Sequence, residues 1–314
     1  VYTKALMSCR PTLKSKGKPL PVLADFLEEK EEARIIINKN KLETTDDHSK
    51  EEILRVENLS VVYGGEKNIF GKKNAAFKAV DDVSFSIYKN ETVGLVGESG
   101  CGKTTLGRAI LQLVKPISGA IYLKGTSLTD ISDTALRQIR PQMQIVFQDP
   151  YGSLNPRITI GDAIAEPLKV HGLETNKSNR KDKVISLLQD VSLAPEYYHR
   201  YPHECSGGQR QRICIARALG MAPEFLIFDE SVSALDVSVQ AQVLNLINSL
   251  KAAYNLTCLF ISHDLSVVHY ISDRILVMNQ GKIVESGDAD DVFFRPQNPY
   301  AQELLAAIPG RSLV

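Results

Sequence analysis

The chain predicts an α/β fold built on a mainly parallel sheet, and three observations carry that prediction. Apolar runs at residues 92–96, 143–147, 225–228 and 256–261 have the length and continuity of strands buried on both faces. Between the last two lies a stretch that sets Val239, Val243, Leu246 and Leu250 on one helical stripe. The first run passes through a glycine-rich loop straight into a second helical stretch. Strands that alternate with helices pair in parallel, because each crossover returns the chain to the same edge of the sheet.

Composition limits what the chain can be. Of 314 residues, 43% are hydrophobic and 24% charged, a globular mixture that excludes collagen, coiled coil and disorder throughout. Lys+Arg and Asp+Glu both number 37, so no overall basic excess draws in a nucleic-acid backbone or an anionic membrane. Nucleic acid is therefore not an expected partner, and any link to a membrane is expected through protein contacts. No apolar stretch approaches the ~18 residues of a spanning helix, and no signal-peptide order of segments is present. Cys9, Cys101, Cys205, Cys214 and Cys258 are scattered, odd in number and without a CxxC pair, which points to free thiols in a reducing compartment.

In chain order, the acidic run at residues 28–32 reads as a solvated face. Residues 38–52 hold one apolar side chain against eight formal charges and read as a linker. From about residue 53 the pattern changes to short apolar runs, and Val83, Phe85 and Ile87 alternate with Ser84, Ser86 and Tyr88 as a half-buried strand. Residues 64–78, rich in Gly, Lys and Asn, read as a polar hairpin or loop. Residues 156–220 show helical periodicity without a convincing strand, which predicts a helical subdomain inserted into the α/β core.

The chemistry begins at Gly97-Glu98-Ser99-Gly100-Cys101-Gly102-Lys103-Thr104, which fits G-x-x-x-x-G-K-[ST] between a predicted strand and a helical stretch starting at Thr105. A backbone that wraps phosphate oxygens must turn its N–H groups inward without side-chain obstruction, and the helix that follows offers its positive end to the same anion. Lys103 then reaches the β/γ-phosphates, and the Thr104 hydroxyl a Mg²⁺ ion. The run at 225–228 delivers Asp229 to that metal and sets Glu230 beside it to polarise a water. Ser206-Gly207-Gly208-Gln209 opens another helical stretch, with Ile213, Ala216 and Leu219 in register, and so forms a second anion-facing helix start.

Taken together these residues resemble the ATP-binding subunit of an ABC transporter, over about residues 53–314. Ser206-Gly207-Gly208-Gln209, preceded by Cys205, matches the family signature; Gln148 matches the Q-loop, Ser233-Ala234-Leu235-Asp236 the D-loop and His263 the switch histidine. The resemblance implies a P-loop NTPase of ABC type, with an antiparallel β subdomain and an inserted α-helical subdomain beside the parallel core. It implies ATP and Mg²⁺ as cofactors, the metal held by Thr104, Gln148 and Asp229. Lys103, Gln148, Glu230 and His263 become the expected catalytic set, and Tyr63 the adenine-stacking aromatic. Residues 97–105 and 206–209 and Asp236 complete the nucleotide contacts, with ATP sandwiched between two domains that meet head to tail. Two departures stand out: Cys205 replaces a leucine, which a small hydrophobe preserves, and Ser231 replaces a proline, which restores an N–H beside the expected base.

The stretch from Gln148 to Pro156, Asp-Pro-Tyr-Gly-Ser-Leu-Asn in between, and the tail Asn298-Pro299-Tyr300 resemble the oligopeptide/dipeptide importer ATPases. That group implies a peripheral protein on the cytoplasmic face of the membrane, paired with a second ATPase domain beneath two permease subunits. An extracytoplasmic binding protein feeds the permeases. Relatives with such a tail also handle nickel or glutathione, and soluble ABC ATPases of translation or DNA repair share the same chemistry. Residues 2–11 can be laid on residues 300–309 with Tyr, Leu and Pro coincident. With Val rather than Met at position 1, this suggests that residues 1–37 are the tail of an upstream ATPase domain. The expected domains are then 53–290 for the cassette and 291–314 for an importer-type tail.

Overall fold

The computed structural model describes residues 9–11, 15–22, 26, 51–64 and 76–308. Apolar alternation and turn placement build two sheets. β1 (Glu52–Tyr63), β2 (Phe77–Tyr88), β4 (Ser118–Leu123) and β5 (Thr126–Ser127) form an antiparallel sheet in the order β2-β1-β4-β5. The second sheet has six strands: β3 (Thr92–Val96), β6 (Met143–Val146), β7 (Phe225–Asp229), β8 (Thr257–Ile261), β9 (Arg274–Asn279) and β10 (Lys282–Asp288), ordered β10-β9-β3-β8-β7-β6. All its pairings are parallel except β10 with β9.

Period-two alternation divides the core of the larger sheet. Leu226, Phe228, Cys258 and Phe260 face one apolar cluster, whereas Phe225, Ile227, Leu259 and Ile261 face the other. The second cluster includes Leu106, Ala109 and Ile110 of helix α1 (Lys103–Ile110) and the inner residues of β1 and β2, so α1 is enclosed between the two sheets. Helix α2 (Asp133–Ile139) follows the small sheet. Between Pro156 and Gly220 the described residues hold helices α3 (Ile160–Val170), α4 (Lys177–Asp190) and α5 (Gly207–Leu219) and no strand. Helices α6 (Val237–Tyr254), α7 (Leu265–Ile271), α8 (Ala289–Phe294) and α9 (Pro299–Ala306) complete the order.

Three expected boundaries shift. The linker read over residues 38–52 gives up its end: Glu52 pairs with Tyr88 in β1, and Lys89 N–H donates to the Glu51 carbonyl at 2.9 Å. The loop read over residues 64–78 ends before Phe77, where β2 begins; residues 65–75 and the rest of that linker lie outside the described residues. A division between residues 290 and 291 would cut α8, and the tail has no core of its own, because Ala301 and Leu305 are buried in the cluster that contains Val96 and Phe228.

The described part of residues 1–37 packs on this cassette. Leu20 is buried, its N–H donates to Asn245 Oδ1 at 2.8 Å, and its carbonyl accepts from Asn245 Nδ2 at 2.8 Å. Tyr270 donates its hydroxyl to the Lys18 carbonyl at 3.0 Å.

Candidate nucleotide site

Four neighbouring parallel strands, β3, β8, β7 and β6, end at one edge of the sheet. Loops leaving such carboxyl ends form the crevice where open α/β sheets hold ligands. After β3 the chain turns through residues 97–102 into α1. Gly102 has φ 112°, and a Cβ there would sit 2.0 Å from the Ala79 carbonyl oxygen, so the turn admits only glycine. The first N–H groups of α1 are thereby presented to the crevice. Lys103 is buried, and its ammonium donates to the carbonyls of Gly97 and Glu98, both at 2.8 Å, which closes the loop into a ring.

Thr104 Oγ1 donates to Asp229 Oδ1 at 3.0 Å, joining the start of α1 to the end of β7. Burial pushes the Asp229 carboxyl above its ordinary value, the Thr104 hydrogen bond and the Arg108 charge oppose the rise, and Glu230 adds to it. The backbone turns sharply at Glu230, whose φ is 47°. Its N–H donates to the Ile261 carbonyl at 2.9 Å, and its carbonyl accepts from the Ser233 hydroxyl at 2.8 Å. This aims the carboxylate into the crevice. Glu230 Oε2 accepts from Gln148 Nε2 at 3.3 Å and lies 3.3 Å from His263 Nδ1, while Oε1 is 4.0 Å from Lys103 Nζ. Ser231 is buried with a hydroxyl that has no hydrogen-bond partner, so the residue in the proline position is a neighbour of the acid and not a second anchor.

The structure thus brings Lys103, Thr104, Gln148, Asp229, Glu230 and His263 into one constellation. Ser206 and Gln209 lie elsewhere: Ser206 Oγ accepts from Gln209 N–H at 3.3 Å, and Gln209 Oε1 accepts from Ser206 N–H at 2.9 Å, a reciprocal cap at the start of α5. Gly207 and Gly208 follow as its first helical residues. Among the described residues no hydrogen bond or ion pair joins residues 206–209 to the phosphate loop. Asp236 caps α6 by accepting from Val239 N–H at 3.0 Å. Tyr63 ends β1 and is 43% exposed, outside the constellation's hydrogen bonds.

Two tyrosines were not foreseen. Tyr197 accepts from Gln209 Nε2 at 2.7 Å, and Tyr300 accepts from the Glu98 N–H at 3.0 Å. Tyr300 and Glu98 are 202 residues apart, whereas Tyr197 stands 12 residues before Gln209 and meets it only because the short turn at Pro195–His199 packs beside the start of α5. Among the described residues no three His, Cys, Asp or Glu side chains form a metal cage. The hydroxyl and carboxylate of Thr104 and Asp229 instead offer the sparse hard-oxygen set that suits a Mg²⁺ ion still holding water and phosphate oxygens.

Comparison with known proteins identifies the family and the fold. The family model for "ABC transporter" matches residues 80–233. The oligopeptide transport ATP-binding protein OppF of Bacillus subtilis is 53% identical over 77% of this chain and 80% of its own length. The glutathione import ATP-binding protein GsiA of Pectobacterium atrosepticum is 46% identical over 98% of this chain, which spans only 49% of GsiA. Among solved structures, the ATP-binding cassette MJ0796, a dimer bound to ADP and Pi, superposes with a TM-score of 0.67 at 26% identity, covering 76% of this chain and 99% of that one. With half or more of its aligned residues identical to ATP-binding proteins that it covers over three quarters of their length, this chain belongs to the ABC transporter family as one of its ATP-binding cassettes.

Proposed function

We propose that the chain hydrolyses ATP, with Mg²⁺, to drive import of di- or oligopeptides through a membrane permease. The observation that carries the chemistry is Glu230, a carboxylate set at a strained turn between Lys103, Gln148 and His263, next to the Thr104–Asp229 pair. Lys103 exchanges the loop carbonyls for β/γ-phosphate oxygens, and the N–H groups of residues 97–105 cradle the rest of the chain of phosphates, except that of Glu98, which donates to Tyr300. Glu230 orients a water in line with the γ-phosphate, and His263 contacts that phosphate. Gln148 shares the Glu230 carboxylate and so reports the state of the site to the helices beyond β6. Thr104, Asp229 and Gln148 would hold Mg²⁺, which would supply charge neutralisation at the phosphates.

Among the described residues no hydrogen bond or ion pair ties the start of α5 to residues 97–105, which supports a head-to-tail pair in which Ser206, Gly207, Gly208, Gln209 and Asp236 serve the nucleotide of a second cassette. Tyr63 offers an exposed ring for adenine. The cargo reading draws on the peptide-import names of relatives such as OppF and AppF of Bacillus subtilis, 53% and 50% identical. The similarity to GsiA supports glutathione, itself a tripeptide, as a second cargo. The reading places the protein peripherally at the cytoplasmic face, under two permease subunits fed by a binding protein. Among the described residues no helix is long and apolar enough to cross a membrane. The match to GsiA, which takes in nearly all of this chain and half of that protein, supports residues 1–37 as the tail of an adjoining, heterologous ATPase domain.

Glu230→Gln tests the chemistry: ATP binding is retained while turnover falls about a hundredfold or more. Near-normal hydrolysis would remove Glu230 from this role. Affinity capture from gently solubilised membranes tests the transport reading. Recovery of a multispanning permease pair supports it, and ribosomal or DNA-repair proteins in place of a permease would assign the same chemistry to a soluble system.

A further inference from the structure

Helix α9 reaches the phosphate loop. Tyr300, on its first turn, accepts a hydrogen bond at 3.0 Å from the N–H of Glu98, 202 residues away in sequence. The tyrosine is itself held in place. The Glu285 carboxylate on β10 accepts from Gln297 N–H at 2.8 Å and Asn298 N–H at 3.0 Å, and Asn298 Oδ1 then caps the helix by accepting from Tyr300 N–H at 2.9 Å. Below, Ala301 and Leu305 are buried in the same cluster as Val96, the residue that leads into the loop. Burial keeps the Tyr300 phenol above its ordinary pKa, so it remains a neutral hydroxyl near neutral pH.

Two backbone bonds also tie the loop around Glu98: Cys101 N–H donates to the Glu98 carbonyl at 3.3 Å, and the Cys101 carbonyl accepts from Gly281 N–H at 2.9 Å. The Lys103 ammonium bonds the carbonyls of Gly97 and Glu98. A lysine that turns to phosphate gives up those two bonds, whereas the bond from Glu98 N–H to Tyr300 involves no group that the phosphates need. We propose that Tyr300 is a positioning residue of the nucleotide site: through Glu98 it holds the rim of the phosphate loop in its binding shape once Lys103 has turned to the ligand. The inference rests on the reading of residues 97–105 as the phosphate site. It makes α9 a part of that site, so that movement of the tail alters ATP affinity.

Tyr300→Phe removes the one oxygen and keeps the ring. In the full chain it is expected to raise the KM for ATP and the dissociation constants of ATP and ADP about fivefold, the worth of one hydrogen bond. Its kcat stays within about twofold of wild type and its melting temperature changes little. Inorganic tripolyphosphate, which has no adenine, should lose competing power by the same factor. Asn298→Ala, which loosens the start of α9 and leaves the hydroxyl, should shift KM in the same direction, and the double variant should not exceed the larger single effect by more than additive error. Wild-type affinity in Tyr300→Phe, or a fall in melting temperature with KM unchanged, overturns the inference. If that variant does not fold, Asn298→Ala decides by the same readout. Failure of the wild-type chain to bind ATP is a different result, which overturns the nucleotide-site reading itself.

Discussion

At Asp229 two demands conflict. Binding a divalent cation needs an ionised carboxylate, but burial at the end of β7 raises its pKa, with the Thr104 hydroxyl, Arg108 and Lys103 pulling the other way. A carboxyl whose folded-state pKa is raised favours folding below its unfolded value of about 3.9 and loses that contribution as pH rises through the folded value. At neutral pH the unliganded domain therefore carries the cost of a buried charge. Asp229→Asn keeps an acceptor for Thr104 and removes the charge. It should raise the nucleotide-free melting temperature by about 2–4 °C, the shift that ~1 kcal/mol makes in a domain of this size, and abolish the further stabilisation by Mg²⁺ with ATP. Calorimetry with and without Mg²⁺-ATP reads both effects. The thiols raise no such conflict: all five cysteines are buried, and burial pushes Cys214 up to about 11 and Cys258 up to about 12, so both stay protonated.

Among the elements, α5 shows how packing limits a recognition motif. Its cap is written locally by Ser206 and Gln209, but the approach to α6 is set by Gly208, where an added Cβ would sit 2.3 Å from Val239 Cγ1. Gly208→Ala should cost about 1–3 kcal/mol through overpacking and weaken any contact that the helix start makes across a dimer. Val239→Ala in the same chain makes room for the methyl and should recover most of the melting temperature. Full stability in Gly208→Ala alone would show that the helices part freely. The hairpins β4–β5 and β9–β10 teach a related lesson. Both turn through two residues at positive φ, Lys124-Gly125 and Gln280-Gly281, and neither dipeptide is as plain a hairpin signal as Asn-Gly.

For the whole molecule, the sensitive face is where α7 and α8 meet the N-terminal segment. His269 is buried against Phe293, with ring centroids 4.2 Å apart, and its Nε2 lies 2.8 Å from Asp290 Oδ1, to which Lys16 also donates at 2.9 Å. Burial lowers the His269 pKa and Lys16 lowers it further, against the opposing pull of Asp290 and Asp288. A histidine depressed in this way contributes stability above its ordinary value of about 6.5, and the contribution is lost as pH falls through that value toward the folded one. Asp290, held low mainly by Lys16, titrates too far below this window to matter in it. Between pH 7.5 and 5.5 the wild-type chain should therefore lose more melting temperature than His269→Gln. Equal losses would show that His269 does not carry the pH dependence.

By itself the sequence determined the α/β class and the phosphate loop, as well as the acidic pair after a buried strand and the capped start of α5. Each depends on neighbours along the chain: a turn that needs glycine, a strand that alternates or stays apolar, a hydroxyl that caps the next turn. It named Glu230 from that acidic pair, and Gln148 and His263 separately, through a family resemblance. Their convergence on one carboxylate follows only from the order β3-β8-β7-β6, which sets distant strand ends side by side. The tertiary structure alone decided that Glu52 belongs to a strand, that the tail shares the main core, and that Tyr300 closes on Glu98. Those outcomes turn on which apolar faces find each other in three dimensions, and burial of that kind leaves no periodic trace in a short polar segment.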